Sequence, residues 1–265
     1  MSYNQVITNT LSQLSTLYSK DGNHFKAKAY DRDKDKIVLS KKPINSLDDL
    51  KGLKIGKSAT KRIVELLETG HVQEIIEAES NPKYIFADVY GIGPKKARDL
   101  VNAGIKNIEE LRERQDELLN DTQKVGLQHY EDLLLRIPRD EIIQFESLFK
   151  NEFSKISNKY SGANFEIVGS YRRGAKTSGD VDVIVTSEND SSILQEFVNL
   201  LVDQEIITYK LTDGKVKILV IGRLTSTSPS RRLDFLYSPP KEYAFATLYF
   251  TGSKFFNTMM RQRAL

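Results

Sequence analysis

Apolar residues recur at helical spacing over the first half of the chain, and short strand-like runs follow. Near the start, Ile7, Leu11 and Leu14 fall on one face of a helix over residues 5–18, and helical spacing continues over residues 107–160. The strand-like runs lie at residues 183–185, 206–211, 215–221 and 231–236, with a helix-like stretch at 193–201. The pattern predicts an α+β chain in which helices precede a sheet.

Two glycine-containing turns interrupt the helical part. Residues 54–58 read Lys-Ile-Gly-Lys-Ser, and residues 91–96 read Gly-Ile-Gly-Pro-Lys-Lys. Each lies between two helical patterns, so backbone amides at the start of the second helix are expected to be exposed and to bind an anion beside basic side chains. Both resemble helix-hairpin-helix motifs, which hold DNA phosphates without reading sequence, although Lys54 stands where the motif usually has glycine. A plain helical hairpin ended by glycine is the alternative.

A candidate phosphate site directly precedes a pair of acids. Asp180 and Asp182 are two positions apart, so in a strand both carboxylates project from one face. Their repulsion favours a divalent cation between them, such as Mg²⁺ or Mn²⁺. Upstream, Gly169-Ser170 predicts a tight turn that can hold a phosphate, and Arg173 adds charge. A solvated strand edge explains either piece alone, but their order favours a nucleotidyl-transfer site.

Asp234 is an acid within the apolar run at residues 231–236, where an unpaired charge is costly to bury. A metal shared with Asp180 and Asp182 would offset that cost. Three acids can hold two metal ions for an in-line displacement at phosphorus. An ion pair with one of the two arginines that begin the run is the alternative.

Composition excludes several kinds of site. The chain has 265 residues, no cysteine and a formal net charge of +3. Disulfides, a thiol nucleophile and thiolate metal sites are therefore excluded, and local charge is more informative than net charge about a polyanionic partner. The start lacks the apolar core of a signal peptide, and no apolar run reaches membrane-spanning length. We expect an intracellular protein without membrane contact.

The chain resembles the family X DNA polymerases, of the beta and lambda type, from about residue 5 to residue 265. The resemblance rests on Gly169-Ser170, Arg173, Gly179-Asp180-Val181-Asp182, Asp234 and Tyr249-Phe250-Thr251-Gly252. It implies an α+β multidomain fold with four parts: a helical lyase-like domain with the first hairpin (1–80), a helical fingers subdomain with the second hairpin (81–140), a nucleotidyltransferase palm with a mixed β-sheet (141–246) and the start of a truncated thumb (247–265). It also implies a monomeric, template-directed DNA polymerase that fills short gaps in base excision repair, located in the nucleus of a eukaryote.

The resemblance assigns roles by position. Asp180, Asp182 and Asp234 would be catalytic and would bind two Mg²⁺ ions, for which Mn²⁺ can substitute. The expected contacts with a deoxynucleoside triphosphate come from Arg136, Gly169, Ser170, Arg173, Ser178, Gly179, Tyr249, Phe250, Gly252 and Asn257. Gapped or primed double-stranded DNA would contact Gly56, Lys57, Gly91, Gly93, Lys95, Lys96 and Arg232. Backbone carbonyls of Ala87, Val89 and Ile92 would hold Na⁺ or K⁺. The aromatic run at 249–250 could equally belong to an ordinary core.

Three departures from the family limit what the resemblance implies. Arg62 stands at the position of the Schiff-base lysine, and arginine stays protonated, so it cannot act as the amine nucleophile. Lys61 is adjacent but points about 100° round the helix, so weak or absent 5′-deoxyribose phosphate lyase activity is expected. Leu236 replaces an arginine two positions after the third aspartate. The sequence stops at Leu265, where relatives continue through the thumb.

Two other functions remain open from the sequence. The chain could be a DNA-binding module with weak or no catalysis owing to the missing thumb, or a nucleotidyltransferase of the same palm fold with a different acceptor. The three aspartates argue against the first, and the paired hairpins argue against the second.

Overall fold

The structure, a computed structural model, describes residues 2–188 and 190–264. The chain divides into two compact units, one up to Gln128 and the other from His129 onward. No helix among the described residues combines the length and apolar character needed to cross a membrane. The four-part division at residues 80, 140 and 246 is finer than these units and stays a prediction.

The first unit is helical, as the spacing of its apolar residues predicts. Its helices are α1 (Asn4–Lys20), α2 (His24–Ser40), α3 (Lys57–Thr69), α4 (Gln73–Glu79), α5 (Pro82–Phe86), α6 (Pro94–Asn102), α7 (Ile108–Glu113), α8 (Gln115–Leu118) and α9 (Asp121–Gln128), with a 3₁₀ turn at Leu47–Leu50. Ile7, Leu11 and Leu14 of α1 are fully buried against Ile37 of α2 and Ile63 of α3. The apolar stripe of each helix thus supplies the core of its neighbours.

The second hairpin turn joins α5 to α6 and rests on α9. Gln123 donates a hydrogen bond of 3.0 Å to the carbonyl of Gly91. A Cβ placed on Gly126 would lie 2.1 Å from the carbonyl oxygen of Tyr90. Only glycine allows this close approach of two backbones, so the position of the turn depends on Gly126.

The second unit contains the sheet. Its elements are α10 (Tyr130–Leu134), β1 (Ile137–Pro138), α11 (Arg139–Ser157), β2 (Asn164–Ile167), α12 (Gly169–Arg172), β3 (Thr177–Ser178), β4 (Val181–Thr186), α13 (Ser192–Asp203), β5 (Ile207–Asp213), β6 (Lys217–Gly222), β7 (Arg231–Tyr237), α14 (Pro240–Thr251) and α15 (Lys254–Ala264). The five-stranded sheet has the order β2-β4-β7-β6-β5, and β1 pairs separately with β3. Strands β4 and β7 are parallel while the other neighbours are antiparallel, which confirms the mixed sheet.

Helices α11 and α13 cover one face of this sheet through a cluster of aromatic rings. Phe149 of α11 is fully buried, and its ring centroid lies 5.6 Å from that of Phe235 on β7 and 6.0 Å from that of Phe197 on α13. Strand alternation therefore directs Phe235 into the core and turns Asp234 to the opposite face. Helix α11 therefore packs against the face of the sheet that carries Phe235.

The close approach at Gly126 is testable by Gly126→Ala. The added methyl group improves helix propensity by about 1 kcal/mol, but two backbones have to separate to admit it. We expect a net loss of about 1–3 kcal/mol in the free energy of unfolding of the full chain, measured by guanidinium unfolding with circular dichroism.

Gly93→Ala is the matched control, since Gly93 has a φ of −86° and no atom within 4 Å of an added Cβ. We expect it to change the unfolding free energy by about 0.5 kcal/mol or less. Equal losses in both variants would contradict the role given to Gly126.

Candidate active site

The parallel pairing of β4 with β7 brings two of the three predicted aspartates together. Asp182 and Asp234 are direct partners in the register of these strands. Asp180 lies two residues before Asp182, just ahead of β4. One carboxylate oxygen from each of the three lies within 4.8 Å of the others. The third carboxylate predicted from the sequence is therefore beside the first two.

Burial and mutual repulsion make these carboxylates costly to ionise. Burial, with a further contribution from the charge of Asp234, raises the pKa of Asp182 to about 6. Burial also raises the pKa of Asp234, while the charges of Arg232 and Lys217 oppose the rise. Oxygen Oδ1 of Asp234 is buried and accepts no hydrogen bond from the described residues. Three oxygen donors with an unsatisfied buried atom among them suit a hard divalent cation such as Mg²⁺ or Mn²⁺.

Arg232 lies against the same carboxylates. Its guanidinium forms an ion pair with Asp180, and its Nε lies 3.3 Å from Oδ1 of Asp234. The sequence left open an ion pair between Asp234 and one of the two arginines that begin β7. Arg232 forms this ion pair and pairs with Asp180 as well. Arg232 lies beside the metal ligands, where the resemblance implies a residue near the primer.

The neighbouring Arg231 fixes the start of β7. It is 4% exposed, and it donates to both carboxylate oxygens of Glu141 on α11 at 2.7 and 2.8 Å. Its guanidinium also faces the carbonyls of Asp132 and Leu135, at the end of α10. A buried bidentate pair of this kind is destabilising to break, so it fixes the strand that carries Asp234.

The glycine-serine pair upstream does not form the predicted simple turn. Gly169 and Ser170 instead begin the four-residue helix α12, directly after β2. Gly169 has a φ of +61°, and a Cβ there would lie 2.2 Å from Oδ2 of Asp182. The absence of a side chain at Gly169 therefore leaves room for the metal-ligand carboxylate. Ser170 donates to the hydroxyl of Ser178 at 2.7 Å, which joins α12 to β3.

Arg136, another predicted phosphate contact, also lies against β3. Its NH2 donates to the carbonyl of Thr177 at 2.7 Å, across the short β1–β3 pair. A Cβ on Gly179 would lie 3.2 Å from NH1 of Arg136, so Gly179 keeps space for the guanidinium. Four of the phosphate contacts predicted from the sequence are therefore neighbours: Arg136, Ser170, Ser178 and Gly179. The strand β3, which ends at Ser178, leads directly to Asp180.

The aromatic segment after α14 borders the same region. Phe250 lines a small cleft with Asp182 and Asp234. Arg173 donates through NH1 to the carbonyl of Thr251 at 2.5 Å. The helical chain breaks after this segment, because α14 ends at Thr251 and α15 begins at Lys254.

Three other predicted nucleotide contacts, Tyr249, Gly252 and Asn257, lie near the break between α14 and α15. Gly252 has a φ of +69°, and a Cβ there would lie 3.3 Å from NH1 of Arg173. Asn257 donates to the carbonyl of Tyr249 at 2.7 Å. The ring of Tyr249 packs edge-on against Phe250, with centroids 5.1 Å apart.

Two charged residues near this site were not predicted from the sequence. Lys217 of β6 lines the cleft and lies opposite Leu236 in the sheet register. Glu166 of β2 forms an ion pair of 2.6 Å with Arg172. The alternation of Ile218 and Val220 toward the core was a signal for Lys217, since it directs position 217 to the face of Asp234. No local pattern indicated Glu166.

The hairpin residues lie in the first unit. Gly91 has a φ of +84°, and Gly93 is the N-cap of α6, followed by the exposed Lys95. Lys96 instead donates to the carbonyl of Leu118. Among the three predicted cation-binding carbonyls, that of Val89 accepts the amide of Ile92 at 3.0 Å, and Ala87 directly follows α5.

The first hairpin departs from the expected exposure of its amides. Lys54 keeps the left-handed turn with a φ of +50°. The amide of Gly56 donates to the buried carboxylate of Asp33 at 3.0 Å, so the expectation that it is exposed for an anion is wrong. Lys57, which begins α3, is exposed.

The predicted lyase position is held in an ion-pair network. Arg62 on α3 donates to Glu65 at 2.7 Å and forms a second ion pair with Glu74 on α4. Tyr18 donates to Glu74 as well. Lys61 is exposed beside this network. The hydroxyl of Ser58, near the start of α3, lies 2.9 Å from the hydroxyl of Tyr30.

Two family models match consecutive parts of the chain. The DNA polymerase beta palm matches residues 136–240, which hold all three aspartates. The fingers domain of DNA polymerase lambda matches residues 84–134, which hold the second hairpin.

Whole-chain relatives agree with these matches. DNA polymerase lambda of Rattus norvegicus is 30% identical over 274 residues, covering 99% of this chain and 47% of that protein. DNA polymerase lambda of Arabidopsis thaliana is 30% identical over 277 residues, covering 97% of this chain and 51% of that protein. The chain spans about half the length of these curated relatives. The chain belongs to the family X DNA polymerases.

Proposed function

We propose that this chain catalyses template-directed addition of deoxynucleotides to a primer 3′-hydroxyl and fills short gaps during DNA repair. The convergence of Asp180, Asp182 and Asp234 at the neighbouring strands β4 and β7 carries the proposal. Ser170 and Ser178, hydrogen-bonded to each other next to these acids, offer a phosphate site in the position that nucleotidyl transfer needs.

The aspartates would hold two Mg²⁺ ions, with Asp180 and Asp182 binding both and Asp234 binding the ion at the primer hydroxyl. When bound, the ions lower the pKa of that hydroxyl and stabilise charge on the phosphates. Asp182 and Asp234 bring two buried carboxylates whose repulsion is relieved by this binding. Arg232, now paired with Asp180, would be the residue that reaches a primer phosphate once the aspartates hold the ions.

The remaining site residues would hold the incoming nucleotide. Arg136, Ser170, Arg173, Ser178 and Gly179 would contact the triphosphate, since arginine and small hydroxyl side chains match phosphate oxygens. The segment Tyr249–Gly252 would lie against the sugar and exclude a ribose 2′-hydroxyl, and Asn257 would face the base edge.

The hairpins of the first unit would bind the DNA backbone. Exposed Lys57 and Lys95, each near the start of a helix, suit phosphates without reading bases. Gly91 and Gly93 shape the second turn, and Na⁺ or K⁺ would bind the carbonyls of Ala87, Val89 and Ile92. We propose an intracellular monomer that acts on gapped or primed DNA, in the nucleus if the source organism is a eukaryote.

The same chain is proposed to have little or no 5′-deoxyribose phosphate lyase activity. Arg62 cannot form a Schiff base, and its guanidinium is occupied by Glu65 and Glu74. Lys61, the nearest amine in sequence, is solvent-exposed and lies outside that ion-pair network.

The metal-ligand role of Asp234 is tested by Asp234→Asn, which keeps the shape and removes the charge. Primer extension on gapped DNA with Mg²⁺ should fall about 10³-fold or more, since several kcal/mol of transition-state stabilisation depend on the bound ions. DNA affinity should be unchanged in an equilibrium binding assay.

Asp213→Asn is the control, because Asp213 is an exposed strand carboxylate paired only with Lys210 among the described contacts. It should extend primers at the wild-type rate. Wild-type protein that bound gapped DNA but never extended a primer would sink the polymerase proposal and leave a DNA-binding module.

The lyase proposal is tested by borohydride trapping on DNA with a 5′-deoxyribose phosphate. The wild-type chain should yield no covalent adduct above that of Lys61→Ala, because neither position supplies a suitably placed amine. A strong wild-type adduct that disappears in Lys61→Ala would refute the expectation and assign the nucleophile to Lys61.

A further inference from the structure

Helix α14, which leads into the sugar-facing segment, is held by few apolar contacts. Of its twelve residues, all described, Thr247 alone is buried. Phe245 is 75% exposed, and Leu248 and Tyr249 are each 45% exposed. Apolar burial is the usual force that fixes a helix on its neighbours. Because so little is buried here, polar contacts decide where α14 lies.

Those polar contacts centre on Glu166 of the edge strand β2. One carboxylate oxygen accepts from Nε of Arg172 on α12 at 2.6 Å. The other oxygen faces the hydroxyl of Tyr243, in the second turn of α14, at 3.3 Å. A single carboxylate thus joins the phosphate-contacting helix α12 to the beginning of α14.

The same arginine extends to the other end of α14. Arg172 reaches the hydroxyl of Thr251 through NH1 at 3.4 Å, and Arg173 donates to the carbonyl of Thr251. Tyr243 and Thr251 are eight residues apart, which is about 12 Å along a helix. Helix α14 is therefore held by polar contacts near both of its ends. Glu166 contacts Tyr243 near the first end and orients Arg172, which contacts Thr251 at the other end.

We infer that Glu166 is a positioning residue that fixes the sugar-facing segment Tyr249–Gly252 and thereby sets discrimination between deoxyribose and ribose. The inference rests on the proposed polymerase function. Glu166 contacts Arg172 and Tyr243, so its effect on the nucleotide passes through them. Its charge matters because a carboxylate accepts from a guanidinium and a phenol more strongly than a neutral amide does.

Loss of the carboxylate charge should loosen the segment without unfolding the unit. Glu166 lies at the sheet edge, and its partner Arg172 is 45% exposed, so the pair contributes modestly to stability. A small displacement at the sugar nonetheless changes how well a 2′-hydroxyl is excluded, because catalysis is sensitive to sub-ångström placement. Selectivity is therefore a sharper measure of this role than folding is.

The test compares Glu166→Gln with wild type in single-nucleotide insertion on gapped DNA with Mg²⁺. KM for the deoxynucleotide should rise about three- to fivefold, and the preference for deoxynucleotide over ribonucleotide, as a ratio of kcat/KM, should fall by a similar factor. Hydrogen exchange at the amides of Gly252 and Asn257, both hydrogen-bonded here, should become faster.

Glu196→Gln is the matched control, because Glu196 also joins a cation and a phenol, Lys159 at 2.5 Å and Tyr160 at 2.6 Å. It touches none of the proposed site residues and should leave KM, selectivity and exchange unchanged. The double variant Glu166→Gln/Arg172→Gln should lose less selectivity than the summed losses of the two single variants, since the two residues act together.

If Glu166→Gln lowered kcat but left selectivity unchanged, the inference would be overturned. General loosening of the protein lowers the fraction of active molecules and leaves the ratio of kcat/KM for the two nucleotides unchanged. Identical behaviour of Glu166→Gln and Glu196→Gln would overturn it as well, with the polymerase function left standing. Absence of insertion by the wild-type chain would instead remove the proposed function on which the inference depends.

Discussion

The repulsion between Asp182 and Asp234 is the constraint on which the second unit depends. Two carboxylates that are direct partners on parallel strands are costly to ionise here, because burial raises the pKa of both and the charge of Asp234 adds to the rise at Asp182. Burial holds them there, because Phe235 and its neighbours fix the opposite face of the sheet in an aromatic core. The fold thus holds an arrangement of charges that a bound cation would relieve, which is how strain is commonly kept at a functional site.

Cations of the protein surround this charge in the metal-free chain. Arg232 pairs with Asp180 and lies beside Asp234, while Lys217 lowers the pKa of both buried aspartates. Leu236, where relatives carry an arginine, lies opposite Lys217 in the sheet. Positive charge therefore reaches the aspartates from β6 as well as from β7. In the proposed mechanism, bound metal ions would take the place of Arg232 beside Asp180.

Two glycines allow other atoms to approach the backbone closely. Gly169 leaves space for the carboxylate of Asp182, and Gly126 lets one helix touch the second hairpin turn. Neither role was evident from composition. Gly126 was merely a glycine inside a helical pattern, and its significance depends on Tyr90, which is distant in sequence. The first hairpin shows the reverse case, since Lys54 adopts a left-handed conformation that glycine would accept without strain.

Local periodicity was enough to predict helix α1 and four of the five strands of the mixed sheet, because core-facing residues repeat with the period of their own element. The three aspartates were found from the two-residue spacing of Asp180 and Asp182 and from the position of Asp234 in an apolar strand. The sequence alone also excluded a lysine nucleophile at Arg62. Tertiary structure alone decided that Asp33 occupies the amide of Gly56, that α12 is a helix, and that Glu166 ties α12 to α14. Those contacts join residues far apart in the chain, and no local pattern encodes a partner that only folding brings near.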